Sequence, residues 1–247
     1  MSVNTKSHAP VALITGAARR IGRTIALDLA DHGWRVGVHY RSSAEEANAT
    51  VAAIAAKGGA AVAIPADLGS PADLADLVPR CIDQLGVPQC LINNASEFHH
   101  DTAATLTNAS WDLHHDINLK APVFLAQALA RHLPDGAAGN VINIIDQRVW
   151  KLSPEFFSYT VSKSGLWTAT RLLAQELAPR IRVNAIGPGP VLRSVHQTEE
   201  EFAAECASTL LRRGPTSEEI AAAVRFILEA PAMTGQMIAL DGGQHLT

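Results

Sequence analysis

A tyrosine and a lysine four residues apart carry the clearest chemical signal in this chain. The sequence Tyr159-Thr160-Val161-Ser162-Lys163 opens a stretch with helical periodicity, and residues at positions i and i+4 lie on the same face of a helix. The ammonium group of Lys163 therefore points the same way as the phenol of Tyr159. A nearby cation favours the phenolate and lowers the pKa of the tyrosine, so the pair is suited to proton transfer near neutral pH.

A second signal is a glycine turn, Thr15-Gly16-Ala17-Ala18-Arg19-Arg20-Ile21-Gly22. It lies between an apolar run of strand length and a stretch with helical periodicity. At such a junction, backbone amides and the N-terminus of the helix approach a pyrophosphate, and Gly22 allows close packing of the helix on the sheet. We expect a dinucleotide to bind along this turn.

The end of the next apolar run indicates which dinucleotide binds. The sequence Val38-His39-Tyr40-Arg41-Ser42-Ser43 is followed by no acid before Glu45, whereas a site for NAD usually offers an acid to the ribose 2′-hydroxyl. The guanidinium of Arg41 and the hydroxyl of Ser42 suit a 2′-phosphate instead. We assign Tyr40, Arg41 and Ser42 to the cofactor site and predict NADPH as the cofactor.

Alternating apolar and helical segments must position these residues. The apolar runs of strand length are Val11–Thr15, Arg35–Tyr40, Ala60–Pro65, Cys90–Asn93, Asn140–Ile145, Ile181–Ile186 and Met237–Leu240. Helical periodicity covers Ile21–His32, Ala44–Ala56, Pro71–Leu85 and Tyr159–Leu177. Continuous apolar runs are typical of parallel strands covered on both faces, so the pattern predicts a doubly wound α/β (Rossmann) sheet with helices on both faces. No composition break divides the chain, and we expect one domain over residues 1–247, with residues 1–8 as a flexible tail.

Composition excludes several classes of protein. The chain has 247 residues, of which 47% are hydrophobic and 18% charged, which suits a large core and argues against disorder. A net charge of −4 leaves no electrostatic footprint for nucleic acid, and no apolar run reaches membrane-spanning length. Three cysteines without a C-x-x-C pair argue against disulfides and zinc, and adjacent histidines such as His99-His100 point apart. We expect a cytoplasmic protein that binds no metal, membrane or nucleic acid.

Together the motifs resemble those of the short-chain dehydrogenase/reductase superfamily. The chain keeps Thr15, Gly16 and Gly22 of the turn T-G-x-x-x-G-x-G, the Asn93-Asn94-Ala95 motif and the Y-x-x-x-K pair. The resemblance extends from Val11 to Thr247. It implies that Asp67 and Leu68 bind the adenine, that Ile21, Asn94 and Ala95 belong to the cofactor site, that Pro188 and Gly189 position the nicotinamide carboxamide, and that Asn118 holds a water that links Lys163 to solvent. It also implies a homotetramer built through helix pairs and the C-terminal strand.

Departures from the ordinary superfamily pattern resemble one branch, the pteridine reductases and bacterial dihydromonapterin reductases. Arg20 stands at the middle glycine, Ser96 stands where a glycine is usual, and Asp146 replaces the serine after the fifth strand. In that branch the arginine faces the cofactor phosphates and the pterin, the serine touches a phosphate, and the residue matching Phe98 stacks on the pterin. The ending Asp241-Gly242-Gly243-Gln244-His245-Leu246 also resembles the tail of dihydromonapterin reductases.

The chemistry of Asp146 agrees with that branch. A carboxylate and a carbonyl oxygen are both hydrogen-bond acceptors unless the acid is protonated, so an ionised Asp146 is a poor partner for a substrate carbonyl and a good partner for the donor-rich edge of an amino-pyrimidine. Phe98 fits a core position as well as a stacking surface. We assign Arg20, Ser96, Phe98, Asp146 and Tyr159 to the substrate. Residues 191–213 correspond to the substrate loop of relatives, although Pro190-Val191 differs from the protozoan type.

The main hypothesis is an NADPH-dependent reductase of dihydromonapterin or dihydrobiopterin, with dihydrofolate as a weaker substrate. Asp146, Tyr159, Lys163 and Asn118 are the predicted catalytic residues. Hydride passes to the carbon of a ring C=N bond, and the proton comes from water or from the Tyr159–Asp146 pair. A general carbonyl or 3-oxoacyl reductase of the same superfamily and a non-catalytic NADPH-binding protein are the alternatives.

Overall fold

Parallel strands form the centre of the fold in a computed structural model, which describes residues 9–194 and 197–247. The predicted tail at residues 1–8 and two residues of the predicted substrate loop lie outside the described residues. The strands are β1 Val11–Ile14, β2 Arg35–Tyr40, β3 Ala61–Pro65, β4 Cys90–Asn93, β5 Gly139–Ile144, β6 Ile181–Pro188 and β7 Met237–Leu240. They form a seven-stranded sheet in the order β3-β2-β1-β4-β5-β6-β7, and every neighbouring pair is parallel.

Helices cover both faces of this sheet. They are α1 Arg20–Asp31, α2 Ala44–Ala56, α3 Pro71–Leu85, α4 Asn108–His115, α5 Ala121–His132, α6 Phe157–Leu177, α7 Glu199–Ser208 and α8 Ser217–Glu229. Alternate residues of a strand point to opposite faces, and β1 shows this directly. Val11 and Leu13 join the core on the side of α3 and α5, whereas Ala12 and Ile14 join the core on the side of α1 and α8. The doubly wound α/β prediction is confirmed.

The strand order reverses between β1 and β4. In an open α/β sheet, such a reversal opens a crevice at the carboxyl ends of the strands, where ligands bind. The glycine turn follows β1, and the Asn94-Ala95-Ser96 segment follows β4. The topology therefore brings these two predicted cofactor segments to the same edge of the sheet.

Five predicted elements have the same bounds as the observed ones, and the ends of the other predicted strands and helices differ by one or two residues. Strand β6 extends to Pro188, beyond the predicted end at Ile186, because Gly187 and Pro188 pair with Ala239 and Leu240 of β7. Irregular backbone features of the described residues were not predicted. A π-helical turn, Asp116–Lys120, joins α4 to α5, and Phe156 enters α6 with a left-handed φ of 56°. Within the described parts of the chain, no helix is both long and apolar enough to cross a membrane.

Candidate active site

A cleft of about 760 Å³ lies at the carboxyl edge of the sheet. It brings together most of the residues predicted for the site: Gly16, Arg20, Ile21, Gly22, Tyr40, Arg41, Ser42, Leu68, Asn94, Ala95, Ser96, Phe98, Asp146, Tyr159, Lys163, Pro188 and Gly189. Two predicted residues do not line it. Asp67 is exposed, and its Oδ1 accepts a hydrogen bond from the Gly69 amide at 2.9 Å. Asn118 is buried beneath the loop that follows β4.

The glycine turn is held tightly against the segment after β4. The Asn94 side-chain amide donates to the carbonyl oxygens of Thr15 and Gly16 at 2.9 and 3.1 Å. The Thr15 hydroxyl accepts from the backbone amides of Asn94 and Ala95 at 2.9 and 3.0 Å. A Cβ at position 22 would lie only 2.4 Å from the Gly16 carbonyl oxygen, so a side chain at this position would force the turn to open.

This turn fits a cofactor phosphate. No side chain caps the start of α1, and its first turn contains no acidic residue. The positive end of the helix dipole is therefore not neutralised by the protein, and it lies beside the cleft, where a phosphate would be stabilised. Arg20 adds a cation at the same place. In this structure its guanidinium nitrogens donate to the carbonyl oxygens of Arg193 and Leu192 at 3.0 and 3.1 Å, which joins the turn to the start of the predicted substrate loop.

A buried histidine that the sequence interpretation missed also supports the turn. His39, near the end of β2, is 2% exposed. Its Nδ1 accepts from the Gly16 amide at 3.0 Å, and its Nε2 donates to the Ala66 carbonyl oxygen at 3.1 Å. Burial lowers the pKa of His39 to about 4, so the ring is neutral at physiological pH. No local pattern marks this role, because a single histidine in an apolar strand is usually a core residue.

Arg41 forms an ion pair that the sequence did not predict. Its guanidinium Nη1 lies 2.6 Å from Glu97 Oε1, and Glu97 Oε2 lies 3.2 Å from His99 Nε2. The pair connects the end of β2 with the loop after β4. Both Arg41 and Glu97 line the cleft, so the predicted 2′-phosphate site contains a carboxylate as well as a cation.

Asp146 and Tyr159 are in direct contact. The Tyr159 hydroxyl donates to Asp146 Oδ2 at 2.8 Å, and Asp146 Oδ1 accepts from the Arg148 amide at 2.8 Å. Loss of hydration raises the pKa of Asp146, because the charged form is disfavoured away from water. Burial and the adjacent Asp146 carboxyl raise the pKa of Tyr159 well above its usual value. The raised pKa of Tyr159 keeps the proton of this hydrogen bond on the phenol, and the Asp146 carboxyl accepts it.

The expected effect of Lys163 on the tyrosine is wrong in this structure. Lys163 Nζ donates to the Ile144 carbonyl oxygen at 2.9 Å and lies 5.8 Å from the centre of the Tyr159 ring. Asp146 is much closer to the hydroxyl, and its effect raises the pKa of Tyr159. Burial lowers the pKa of Lys163 itself to about 8, so its ammonium group is charged at neutral pH.

Asn118 fixes the loop after β4. It lies in the π-helical turn, a feature that is frequent at functional sites, and is fully buried. Its Oδ1 accepts from the Ser96 hydroxyl and the Glu97 amide at 3.1 and 2.9 Å. Its Nδ2 donates to the Glu97 carbonyl oxygen and the Ser162 hydroxyl at 3.0 and 3.2 Å. These contacts use the donors and acceptors of the side chain, which leaves no side-chain atom for the predicted water.

Phe98 lies in the cleft and belongs to an aromatic cluster. Its ring stacks on Phe156, with centroids 4.3 Å apart, and meets Tyr159 edge-on at 4.7 Å. The Arg148 guanidinium carbon lies 5.0 Å from the centre of the Phe156 ring. An aromatic surface thus adjoins the Asp146–Tyr159 pair.

Part of the cleft lining is a polar cluster that the sequence interpretation did not find. Glu205 of α7 accepts from the side-chain amides of Gln197 and Gln244 at 2.7 and 3.1 Å. All three residues line the cleft. Among the described residues, no group of histidine, cysteine and acidic side chains could hold a metal ion.

The chain is similar to known reductases over almost its whole length. A family model described as Enoyl-(Acyl carrier protein) reductase matches residues 16–245. A 3-oxoacyl-[acyl-carrier-protein] reductase from Synechocystis is 32% identical, over 97% of this chain and 98% of the relative.

Two solved structures are more similar. FolM Alternative dihydrofolate reductase 1 from Brucella canis, complexed with NADP, is 49% identical with a TM-score of 0.95, over 97% of this chain and 95% of that one. The protein of the same name from Brucella suis, also in complex with NADP, is 50% identical with a TM-score of 0.94, over 97% and 96% of the two chains. The chain therefore belongs to the short-chain dehydrogenase/reductase superfamily of oxidoreductases, as its motifs predicted, and its structural neighbours include the pteridine-reductase-like branch.

Proposed function

We propose that this protein is an NADPH-dependent reductase of dihydropterins, with dihydromonapterin or dihydrobiopterin as preferred substrates and dihydrofolate as a weaker one. The observation that carries the proposal is the carboxyl group of Asp146, 2.8 Å from the Tyr159 hydroxyl. It stands where ordinary members of the superfamily have a serine. The Brucella neighbours, named as alternative dihydrofolate reductases and bound to NADP, support both the substrate class and the cofactor.

The cofactor is NADPH, which supplies a hydride when it is bound. The N-terminus of α1 and the Arg20 guanidinium suit its phosphates, because both offer positive potential at the glycine turn. Arg41 suits the 2′-phosphate. The remaining predicted contacts come from residues that line the same cleft: Ile21, Tyr40, Ser42, Leu68, Asn94, Ala95, Ser96, Pro188 and Gly189.

The substrate would lie against Phe98 and present its polar edge to Asp146. A carboxylate accepts hydrogen bonds from the amino and ring N–H groups of a pterin, and a charge-assisted hydrogen bond is stronger than a neutral one. An aromatic side chain such as Phe98 offers a flat apolar surface to the heterocycle. Arg20 and Ser96 line the cleft as well and would complete the contacts to the pterin.

The Tyr159–Asp146 pair is suited to supply the proton. Reduction of a C=N bond adds a hydride to carbon and a proton to nitrogen. The raised pKa of Tyr159 favours the protonated phenol, and its hydrogen bond holds that proton between Tyr159 Oη and Asp146 Oδ2. Lys163 is charged below about pH 8 and stabilises the negative charge that the pair carries after it gives up the proton.

A 3-oxoacyl reductase is the second candidate, because curated relatives such as the Synechocystis enzyme carry that name. The Asp146 carboxylate disfavours it, since two acceptors would face each other at the substrate carbonyl. A non-catalytic NADPH-binding protein is disfavoured because Tyr159 and Lys163 are both present in the cleft.

Replacement of Asp146 by serine tests the proposal. We expect Asp146→Ser to lower kcat/KM for dihydromonapterin by roughly ten- to hundredfold, since loss of a charged hydrogen-bond partner costs about 1.5–3 kcal/mol. The Kd of NADPH, measured by fluorescence titration, should change by less than about threefold, which is a smaller free-energy change than the one expected for kcat/KM. Asp83→Ser, at an exposed position of α3, is the control. Equal loss of turnover and cofactor binding, or unchanged turnover, would contradict the role of Asp146.

A further inference from the structure

Helix α6, which carries Tyr159 and Lys163, begins without a cap of its own. Phe156, the residue before it, has a left-handed φ of 56° and provides no side-chain cap. The first amides of the helix are bound by Asp101 instead. The Asp101 carbonyl oxygen accepts from the Phe157 amide at 3.1 Å, and Asp101 Oδ1 accepts from the Ser158 amide at 3.0 Å. The loop after β4 thus provides the N-terminal cap of the helix that carries Tyr159.

A chain of hydrogen bonds continues from this cap into α4. The Ser158 hydroxyl donates to Asp101 Oδ2. His114 Nε2 accepts from the His99 amide at 3.1 Å, so the proton of the neutral ring lies on Nδ1, which donates to the Ser158 hydroxyl at 2.5 Å. Asp101, His114 and Ser158 are 3%, 0% and 0% exposed. The network is therefore closed to solvent, and its hydrogen bonds run in one direction, from His114 through Ser158 to Asp101.

The two ends of this network adjoin residues of the proposed site. His99 follows Phe98 in the loop, and Ser158 precedes Tyr159 in the helix. The Phe98 and Tyr159 rings meet edge-on at 4.7 Å, and the His114 ring lies 6.0 Å from that of Tyr159. None of the three network side chains lines the cleft, so none of them is placed to touch a substrate there.

We propose that Asp101, Ser158 and His114 form a positioning network that sets the distance and orientation between Phe98 and Tyr159. The proposal rests on the proposed function, because that function gives these two residues the stacking and proton-holding roles. A buried network of polar groups with all partners in place specifies one geometry, and it becomes costly when one member is lost. Loss of a member should therefore disturb both the substrate-binding loop and the start of α6.

The test compares Asp101→Asn and Ser158→Ala with a matched control on the same helix. Thr170 is fully buried. Its hydroxyl donates to the Leu166 carbonyl oxygen and accepts from Asn143 Nδ2, both at 2.8 Å. Thr170→Val should lower Tm by an amount similar to the other two variants, because each variant removes or mismatches a buried hydrogen bond. Asp101→Asn keeps the size of the side chain, so it is the variant to use if Ser158→Ala does not fold.

We expect Asp101→Asn and Ser158→Ala to raise KM for the dihydropterin and to lower kcat at saturating NADPH. The combined loss in kcat/KM should be on the order of tenfold or more, as expected when reacting groups are misplaced. Thr170→Val should keep kcat/KM, and all three variants should bind NADPH with unchanged Kd. If the Tm of the network variants falls as that of the control does while their kcat/KM stays at the wild-type value, the network is only structural and the proposal is overturned.

A wild-type protein that does not reduce dihydropterins would overturn the proposed function instead. The network is then tested through kcat with the carbonyl substrate that the wild type reduces, because Tyr159 would give the proton there too. Unchanged kcat in Asp101→Asn with that substrate would overturn the network separately.

Discussion

At the scale of single residues, Arg41 is the side chain that we propose for recognition of the 2′-phosphate of the cofactor. It pairs with Glu97 at 2.6 Å, but its side chain is 52% exposed. The guanidinium also lines the cleft, so we expect it to exchange Glu97 for a 2′-phosphate when NADPH binds. We expect Arg41→Ala to weaken NADPH binding by roughly ten- to hundredfold, the cost of a charged hydrogen bond, and to leave the Kd of NADH nearly unchanged.

Fluorescence titration of both nucleotides checks this prediction. Arg23→Ala removes an exposed arginine of α1 and is the control for the loss of positive charge. Equal weakening of NADPH and NADH by Arg41→Ala would contradict recognition of the 2′-phosphate by this side chain.

Residue types and spacing predicted which side chains line the cleft. They predicted less well which partners those side chains contact. Tyr159, Lys163 and Asp146 line it as predicted. The direction of the Tyr159 pKa shift was wrong, because it depends on a contact with Asp146 across the gap between β5 and α6. Arg41 and Glu97, which form an ion pair, are 56 positions apart in the sequence. No local sequence pattern predicts a contact between residues so far apart.

At the scale of elements, the hydrogen bond between His39 of β2 and the Gly16 amide of the glycine turn should depend on pH. His39 accepts the Gly16 amide hydrogen bond only while its Nδ1 is unprotonated. Its pKa in the folded protein is about 4, against about 6.5 in the unfolded chain. Below pH 6.5 the unfolded state binds a proton that the folded state does not bind until about pH 4. The free energy of unfolding should therefore fall by about 3 kcal/mol between these pH values.

Urea unfolding at a series of pH values from 7 to 4 measures this effect. His39→Gln removes the titrating group, so the part of the pH dependence that comes from it should disappear. His132→Gln, at an exposed position of α5, should keep the wild-type dependence. The same slope in His39→Gln as in the wild type would rule out His39 as its source.

The strands and four of the eight α-helices of the described residues followed from the sequence, because each depends on a local apolar pattern. The π-helical turn Asp116–Lys120 and the left-handed Phe156 did not. The turn contains Asn118, whose side chain binds the loop after β4, and Phe156 stacks on Phe98 of the same loop. Both features thus depend on a segment distant in the chain, which periodicity does not describe.

At the scale of the whole molecule, we propose a homotetramer, which would cover apolar side chains that a single subunit leaves exposed. Phe124 of α5 and Leu172 of α6 are 51% and 60% exposed, and Phe226 of α8 is 58% exposed. Light scattering should give about four times the subunit mass of 26.2 kDa. Leu172→Glu should reduce the mass, because a charge at a subunit contact is costly to bury.

Ala52→Glu, at an exposed position of α2, controls for the added charge and should keep the mass of the wild type. A monomeric wild type, or an unchanged mass in Leu172→Glu, would contradict assembly through α5 and α6.

The substrate class is the central claim, and NADPH oxidation with several substrates side by side tests it most directly. The assay compares dihydromonapterin, dihydrobiopterin, dihydrofolate and a 3-oxoacyl thioester with the same enzyme preparation. Because Asp146 accepts hydrogen bonds from a pterin and opposes a carbonyl oxygen, we expect kcat/KM for the preferred dihydropterin to exceed that for the thioester by roughly a hundredfold or more, about 2.7 kcal/mol in transition-state binding. A thioester reduced faster than every dihydropterin would contradict the account.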